Sequence, residues 1–215
     1  MLSDLTTLVM VITVTIGLLY HSSIKIKFLR WLTIYLAVSC LSEFALEYIP
    51  DPDAKLTKAL YCLMIPLEYA IYVKLYREAG TNLFIKKKFF TFSIVVLALF
   101  GVYQLVFNLN QRTAATDVFT AMGVLTLGVV LLYFWDILRS DQIIILGKDP
   151  LFWIATALLF FYTGNLFATG FYHILYSRSP DLAKKLYYLN YILNILRYIM
   201  YSIAFAIAAR NQDER

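Results

Sequence analysis

The chain has 215 residues, of which 61% are hydrophobic and only 15% are charged. A water-soluble domain has about 45–50% apolar and about 25% charged residues, so this composition excludes an ordinary soluble fold and indicates an integral membrane protein. The net charge of +5 does not indicate nucleic-acid binding, because the basic residues lie in short segments between apolar runs, where they orient helices in a membrane. The expected partner is therefore a lipid bilayer, not a nucleic acid.

Seven apolar runs are each long enough to cross about 30 Å of hydrocarbon as a helix. They lie near residues 5–21, 28–49, 57–76, 89–109, 117–138, 151–175 and 186–208. Because the connecting segments are short, consecutive helices should be antiparallel neighbours. The sequence therefore predicts an all-α polytopic membrane protein, with one domain over residues 1–215 that forms a seven-transmembrane-helix bundle.

Two further segments are predicted to associate with the membrane. Met1–Asp4 contains no Lys or Arg, so the first run is predicted to be a retained transmembrane helix rather than a signal peptide. Asp141–Leu146 is apolar but too short to span, and we expect it to lie in the membrane interface.

The distribution of Lys and Arg predicts the orientation of the bundle. With the N-terminus outside, the cytoplasmic segments hold twelve Lys and Arg residues and the external segments hold six. Positive residues concentrate on the cytoplasmic side of membrane proteins, so this twofold difference favours an N-out, C-in arrangement in the cytoplasmic membrane of a bacterium.

Polar residues at membrane depth are concentrated on four of the predicted helices. Each such residue is costly in hydrocarbon unless it faces the bundle interior and finds a partner. The second helix carries Ser39 and Glu43, the third Glu68 just after Pro66, the sixth Asn165 and Thr169, and the seventh Asn194, Arg197 and Tyr201. Most of these residues lie near the midpoints of their helices, so we predict a polar pocket bounded by helices two, three, six and seven.

Arg197 has the most demanding chemistry of this set. A guanidinium at the centre of a transmembrane helix costs about 2.5–3.5 kcal/mol on insertion scales and keeps its proton. We expect either Glu43 or Glu68 to pair with it, which leaves the other glutamate able to gain or lose a proton. Three interpretations remain open: polar groups that only hold the helices together, a pocket for a small polar solute, and a proton or ion path.

Pro66, within the third helix, has two interpretations. It either only kinks the helix, or it also leaves the carbonyl group of Cys62 free to line the pocket.

Several functional classes are excluded by missing residues. All eleven lysines lie in loops or at helix ends, so the last helix has no lysine for a retinal Schiff base. The chain has no HExxH, GxSxG or phosphate-binding loop, and Cys40 and Cys62 have no metal or redox spacing. We therefore predict no metal, no cofactor and no enzyme activity. An intramembrane hydrolase is the remaining enzymatic alternative, with Glu43, Glu68 and His173 as its only candidate groups.

The last third of the chain carries a resemblance to known proteins. The stretch from Phe152-Trp153 through Gly164-Asn165 to Asn190–Asn194 and Arg197 resembles small bacterial membrane proteins with seven transmembrane helices. The overall plan is similar to the seven-helix sensory modules of bacterial signalling proteins. That similarity implies a ligand-binding or sensory function, and, since no kinase or cyclase is attached, a separate signalling or membrane-protein partner. The alternatives are a proton-coupled transporter of a small solute and a structural accessory subunit.

Overall fold

The described part of the protein consists almost entirely of helices. A computed structural model describes residues 2–48, 54–79, 83–103, 106, 114–139 and 145–213. Its long helices are α1 (Leu2–Leu19), α2 (Lys27–Tyr48), α3 (Ala54–Ala79), α4 (Leu83–Tyr103), α5 (Ala114–Leu138), α6 (Pro150–Arg178) and α7 (Pro180–Asp213). A short 3₁₀ turn, Leu146–Lys148, precedes α6. The all-α class is confirmed for these residues.

Six of the described helices are long and apolar enough to cross a membrane. Their spans are Leu2–Leu19, Lys27–Leu46, Ala59–Arg77, Asp117–Leu138, Pro150–Gly170 and Tyr188–Asn211. The chain is accordingly a multi-pass membrane protein. The first helix begins earlier than predicted, and α3 and α7 extend beyond the predicted runs at both ends, because the polar residues that flank the apolar runs continue the helix.

The fourth predicted span differs from the other six. Lys86, Lys87 and Lys88 lie near the start of α4, and its helical residues end at Tyr103 within the described part of the chain. The predicted run near 89–109 avoids these lysines but extends into residues outside the described ranges, so a seventh crossing stays a prediction. Most of the predicted interfacial segment, residues 141–144, also lies outside the described ranges.

Apolar side chains occur both inside the helix packing and on its surface. Large residues such as Phe28, Tyr72 and Phe205 are fully buried, whereas Leu8, Trp31 and Phe167 are exposed. A soluble protein rarely exposes so many large apolar side chains, but lipid solvates them without cost. The helices are therefore apolar on their outward faces as well as in the core, as expected in a bilayer.

The described chain divides into two compact units. Unit 1 comprises Met1–Leu36 and Asp141–Arg215, and unit 2 comprises Ala37–Ser140. Helix α2 contributes its first turns to unit 1 and the rest to unit 2. The prediction of a single domain is not tested by this division.

In unit 1, α1 packs closely against α2 and α7. The Thr13 hydroxyl lies 2.9 Å from the hydroxyl of Ser202 and 3.0 Å from the carbonyl oxygen of Tyr198. One turn further along α1, a Cβ placed on Gly17 would lie 3.0 Å from Thr33 on α2 and 3.2 Å from Phe205 on α7. A glycine at this position lets three helices approach one another, as small residues do in membrane bundles.

The start of α6 is fixed by local hydrogen bonds. The Asp149 carboxylate accepts a bond of 2.9 Å from the backbone N–H of Leu151, and Pro150 occupies the first helical position. Both features favour helix initiation at this point. The preceding turn is tied to the far end of α7, because the side-chain amide of Asn211 donates to the carbonyl oxygen of Lys148 at 3.0 Å. These bonds position α6 along α7.

In unit 2, α3 is the central helix and packs against both α4 and α5. The hydroxyl of Tyr69 on α3 donates to the Ser93 hydroxyl on α4 at 2.8 Å, and both side chains are buried. Pro66 lies inside α3, which continues on both sides of it. Since proline has no N–H, the carbonyl group four residues earlier, at Cys62, lacks its usual intrahelical donor.

We predict that Gly17→Ala destabilises the protein by about 1–3 kcal/mol, because the added methyl group forces Thr33 and Phe205 apart. Gly128→Ala on α5 is the matched control, because its added Cβ meets no described atom within 4 Å. It should be neutral or stabilising by up to about 1 kcal/mol, since alanine favours a helix. Unfolding midpoints of the two variants in detergent measure the difference. Equal stability would contradict the close approach of the three helices.

Candidate functional site

Arg197 lies inside unit 1, near the middle of a membrane span. It is two to three residues from the midpoint of the α7 span, about 4 Å at 1.5 Å per residue. Its side chain is only 8% exposed. The guanidinium carbon lies 4.0 Å from the centroid of the Phe161 ring on α6 and 4.9 Å from that of Tyr198. Aromatic faces stabilise a desolvated cation in such an arrangement by about 2 kcal/mol.

Hydrogen bonds along α7 fix the orientation of the guanidinium. Its Nη2 atom donates to Asn194 Oδ1 at 3.0 Å and to the Tyr198 hydroxyl at 3.1 Å. The Asn194 amide in turn donates to Asn190, at 2.7 Å to the side-chain oxygen and at 3.1 Å to the carbonyl oxygen. The residues at 190, 194 and 197 therefore form a continuous polar line on one face of α7. Such a network limits the positions available to the charge.

Aromatic side chains surround this polar line. Tyr201 is fully buried, and its ring packs edge-to-face on that of Tyr198, with 6.5 Å between centroids. On α6, Phe161 and Tyr162 pack edge-to-face at 5.0 Å, and both are buried. These rings form apolar walls next to a permanent positive charge.

The register of α6 against α7 is set at two places. Phe161 faces Arg197, and a Cβ on Gly164 would lie 2.5 Å from Cδ1 of Leu193. Gly164 lies three residues after Phe161 on α6, whereas Leu193 lies four residues before Arg197 on α7. The two helices are therefore antiparallel. Asn165 follows Gly164 and lies one turn from Phe161 on the same face of α6. It is therefore at the depth of Leu193 and Asn194, one turn from Arg197.

Asn165 is a fully buried polar residue of unit 1. Its side chain is 1% exposed, and its Nδ2 atom has no hydrogen-bond partner among the residues that the structure describes. A buried amide donor without a partner costs about 1–3 kcal/mol. Thr169, one turn further along α6, is half-buried. The Asn165 Nδ2 atom is thus a donor, about one helical turn in depth from Arg197, that an added acceptor would satisfy.

Glu68 is a buried carboxyl group of unit 2. It lies near the middle of α3, two residues after Pro66, and is 8% exposed. The hydroxyl of Tyr72, one turn later on the same helix and fully buried, donates a short hydrogen bond to Glu68 Oε1. This bond gives the carboxyl group a neutral partner in an apolar environment.

Glu43 and Ser39, on the unit 2 part of α2, have different surroundings. Glu43 is exposed and accepts a hydrogen bond of 3.3 Å from the Tyr61 hydroxyl on α3. Ser39 is half-buried, and its carbonyl oxygen accepts a bond of 2.8 Å from the Ser42 hydroxyl. The side chains of Glu47 and His173 lie outside the described part of the protein.

The structure places the predicted site residues in two groups. Asn194, Arg197, Tyr201, Asn165 and Thr169 belong to unit 1, and Ser39, Glu43, Glu68 and Pro66 belong to unit 2. The predicted pairing of Arg197 with a glutamate joins residues of both units and stays a prediction.

Sequence reasoning did not identify three contact residues, Phe161, Tyr198 and Tyr72, as part of the candidate site. Tyr72 could have been found from its spacing of four from Glu68, and Phe161 from its spacing of four before Asn165.

The described residues include no group of three His, Cys, Asp or Glu side chains that could hold a metal ion. Cys40 and Cys62 are buried free thiols. No protein-family model, curated protein or solved structure matches the chain. The assignment of a function therefore depends on the residues described above, and the resemblance to seven-helix sensory modules stays a prediction.

Proposed function

We propose that this chain is a ligand-binding, sensory membrane protein whose site is the polar line of α7 and the facing turn of α6. The observation that carries the proposal is the buried Asn165 Nδ2 atom, which has no hydrogen-bond partner among the described residues and differs by about one helical turn in depth from the buried Arg197. Groups that only hold helices together satisfy each other, as the hydroxyl groups of Thr13 on α1 and Ser202 on α7 do. A donor kept unsatisfied within a span is more consistent with a site that a solute completes.

The same proposal includes the arrangement in the membrane. The chain crosses the cytoplasmic membrane of a bacterium seven times, with the N-terminus outside. Support comes from the six apolar spans and from the excess of Lys and Arg on one side of the predicted bundle.

Replacement of Asn165 by leucine tests whether the polar groups serve binding or packing. We predict that Asn165→Leu raises the stability of the ligand-free protein by about 1 kcal/mol, because it removes an unsatisfied buried donor. Asn194→Leu is the matched control and should lower stability, since its amide bonds to Asn190 and Arg197. Unfolding in nanodiscs measures both. If Asn165→Leu is as destabilising as the control, Asn165 is a packing residue and the proposal is wrong.

Membrane topology is tested by reporter fusions. Alkaline phosphatase, which is active only outside the cytoplasm, should be active when fused after Arg112 and inactive when fused after Arg215. The first fusion decides whether α4 crosses, because without that crossing residue 112 would lie on the side of the lysines at its start. An inactive fusion at residue 112 together with an active fusion in the segment 50–53 would reduce the number of crossings.

A proton-coupled carrier is the second candidate function, favoured by the buried hydrogen bond between Glu68 and Tyr72. The next tyrosine on this face of α3, Tyr76, interacts with Asp136 near the end of the α5 span. Carboxyl and hydroxyl groups along one helix face are the groups that relay protons in membrane carriers. In this function Glu68 is the group that takes up and releases the proton.

Infrared difference spectra recorded between two pH values test the carrier function. We predict a carboxyl band that appears on acidification, is absent from Glu68→Gln, and is shifted in Tyr72→Phe, which removes the hydrogen bond. Glu43→Gln is the control and should keep the band, because it leaves Glu68 and Tyr72 intact. A Glu68→Gln spectrum identical to that of the parent protein would exclude Glu68 as the proton carrier.

A further inference from the structure

Basic residues are concentrated at one end of unit 1, and we propose that this end binds the headgroup of an anionic phospholipid. The interaction is separate from the ligand site proposed for α6 and α7 and does not depend on it. It follows from three features of unit 1: helix packing that gathers the basic residues, the small number of acidic residues beside them, and an adjoining apolar surface.

Helix packing brings the end of α1, the start of α2 and the end of α7 to the same side of unit 1. Thr13 of α1 bonds to Ser202 of α7, and one turn further along α1 Gly17 meets Phe205 of α7. These two helices are therefore parallel. Gly17 also meets Thr33 of α2, and the short connection after α1 makes α1 and α2 antiparallel.

Five basic residues lie on this side and form what we call the basic end of unit 1. On α2 and α7 its members lie about 5–9 Å beyond the level of Gly17 along the helix axes, at 1.5 Å per residue. The start of α6 joins them, because the Lys148 carbonyl oxygen accepts the hydrogen bond from Asn211 on the last turns of α7. The members of the basic end are Lys25, Lys27, Arg30, Lys148 and Arg210.

The connection between α1 and α2 presents its basic side chains from a folded segment. Ile24 is fully buried, its N–H bonds to the Tyr20 carbonyl oxygen at 2.9 Å, and its own carbonyl oxygen accepts a bond from Arg30 Nε. Lys25 and Lys27 are exposed. Neither lysine has an ion pair with a described residue, and the Nη atoms of Arg30 have no hydrogen-bond partner among the described residues. An external anion can therefore reach donors that are already held in place.

Few acidic residues accompany the basic end. The described segments 17–33, 145–153 and 205–213 contain two acidic residues, Asp149 and Asp213, against the five basic ones. The Asp149 carboxylate accepts the N–H of Leu151 at the start of α6. At the opposite end of unit 1, segments 2–5 and 178–185 hold three basic and two acidic residues, so their charges nearly balance. Each Lys or Arg near a membrane surface strengthens the binding of anionic headgroups about fivefold.

An exposed apolar surface adjoins the basic end. It consists of side chains at the end of α1 and the start of α2, namely Leu18, Leu19, Tyr20, Trp31 and Ile34. Tyrosine and tryptophan are common at the level of lipid headgroups. A phospholipid would contact the basic residues through its phosphate and the apolar surface through its acyl chains. A soluble anion would use only the charges, so the combination favours a lipid.

Native mass spectrometry of the protein in a neutral detergent tests this interaction. Phosphatidylglycerol is compared with phosphatidylcholine that has the same acyl chains, so that only the headgroup charge differs. We expect the first phosphatidylglycerol molecule to bind about tenfold more tightly than phosphatidylcholine, and higher ionic strength to reduce this preference. Glycerol 3-phosphate carries a phosphate without acyl chains and should not compete at the concentration at which the lipid saturates.

Paired variants identify the residues responsible. Lys25→Gln/Lys27→Gln should weaken binding of phosphatidylglycerol about 25-fold, or about fivefold for each lysine, whereas Lys25→Arg/Lys27→Arg should bind as the parent does. Lys184→Gln/Lys185→Gln is the matched control, because it removes the same charge at the start of α7, and it should also bind as the parent does. If Lys25→Gln/Lys27→Gln does not fold, Lys148→Gln at the start of α6 should still weaken binding about fivefold.

Four results would overturn the proposal. Equal binding of the two lipids would exclude a site for anionic headgroups, and equal loss in Lys184→Gln/Lys185→Gln would show only a general attraction to positive charge. Glycerol 3-phosphate that competes as well as the lipid would assign the basic end to a soluble anion. If these lysines only orient the helices during insertion, the purified Lys25→Gln/Lys27→Gln protein will bind phosphatidylglycerol as the parent does.

Discussion

The contact between the Arg197 guanidinium and the Phe161 ring, 4.0 Å apart, determines much of unit 1. A permanent charge in the middle of a span is tolerated only where protein groups replace water, and here an aromatic face, an amide oxygen and a phenol hydroxyl do so. Because the ring belongs to α6 and the charge to α7, the same contact fixes the register of the two helices. Gly164 then allows the close approach at Leu193.

Unit 1 contains polar residues of two kinds, which differ in whether their side-chain groups have hydrogen-bond partners among the described residues. Thr13 and Asn194 have their hydrogen bonds within the unit, so they hold α1 against α7 and orient Arg197. Asn165 is brought to the same depth, yet its amide nitrogen has no partner among the described residues. Polar residues that serve only packing would be expected to resemble the first kind. The contrast within one unit is the reason for treating Asn165 as part of a ligand site rather than as part of the packing.

The transmembrane helices could be predicted from the sequence because runs of about 20 apolar residues with few charges are rare outside membrane spans. The three lysines of α4 mark the one place where this signal is ambiguous. Arg197 and Asn194 could also be selected, since rare residues in an apolar run are conspicuous and their spacing puts them on one face. Phe161 and Tyr72 have only a weak signal, their spacing of four from Asn165 and Glu68, because the chain has 16 Phe and 17 Tyr. Division into two units depends on inter-helix packing, which periodicity does not encode.

The two ionisable groups of the candidate sites, Arg197 and Glu68, make different demands on a mechanism. Arg197 in unit 1 keeps its charge at any physiological pH, so a site built on it distinguishes ligands by their charge and shape. Glu68 in unit 2 has a hydroxyl partner, Tyr72, and a carboxyl group can exist with or without its proton. A sensor needs only the permanent charge of Arg197, whereas a proton-coupled carrier also needs a group that exchanges a proton, such as Glu68. Glu68→Gln should therefore leave the binding of a ligand in unit 1 intact if the protein is only a sensor, and abolish proton-coupled uptake if the protein is a carrier.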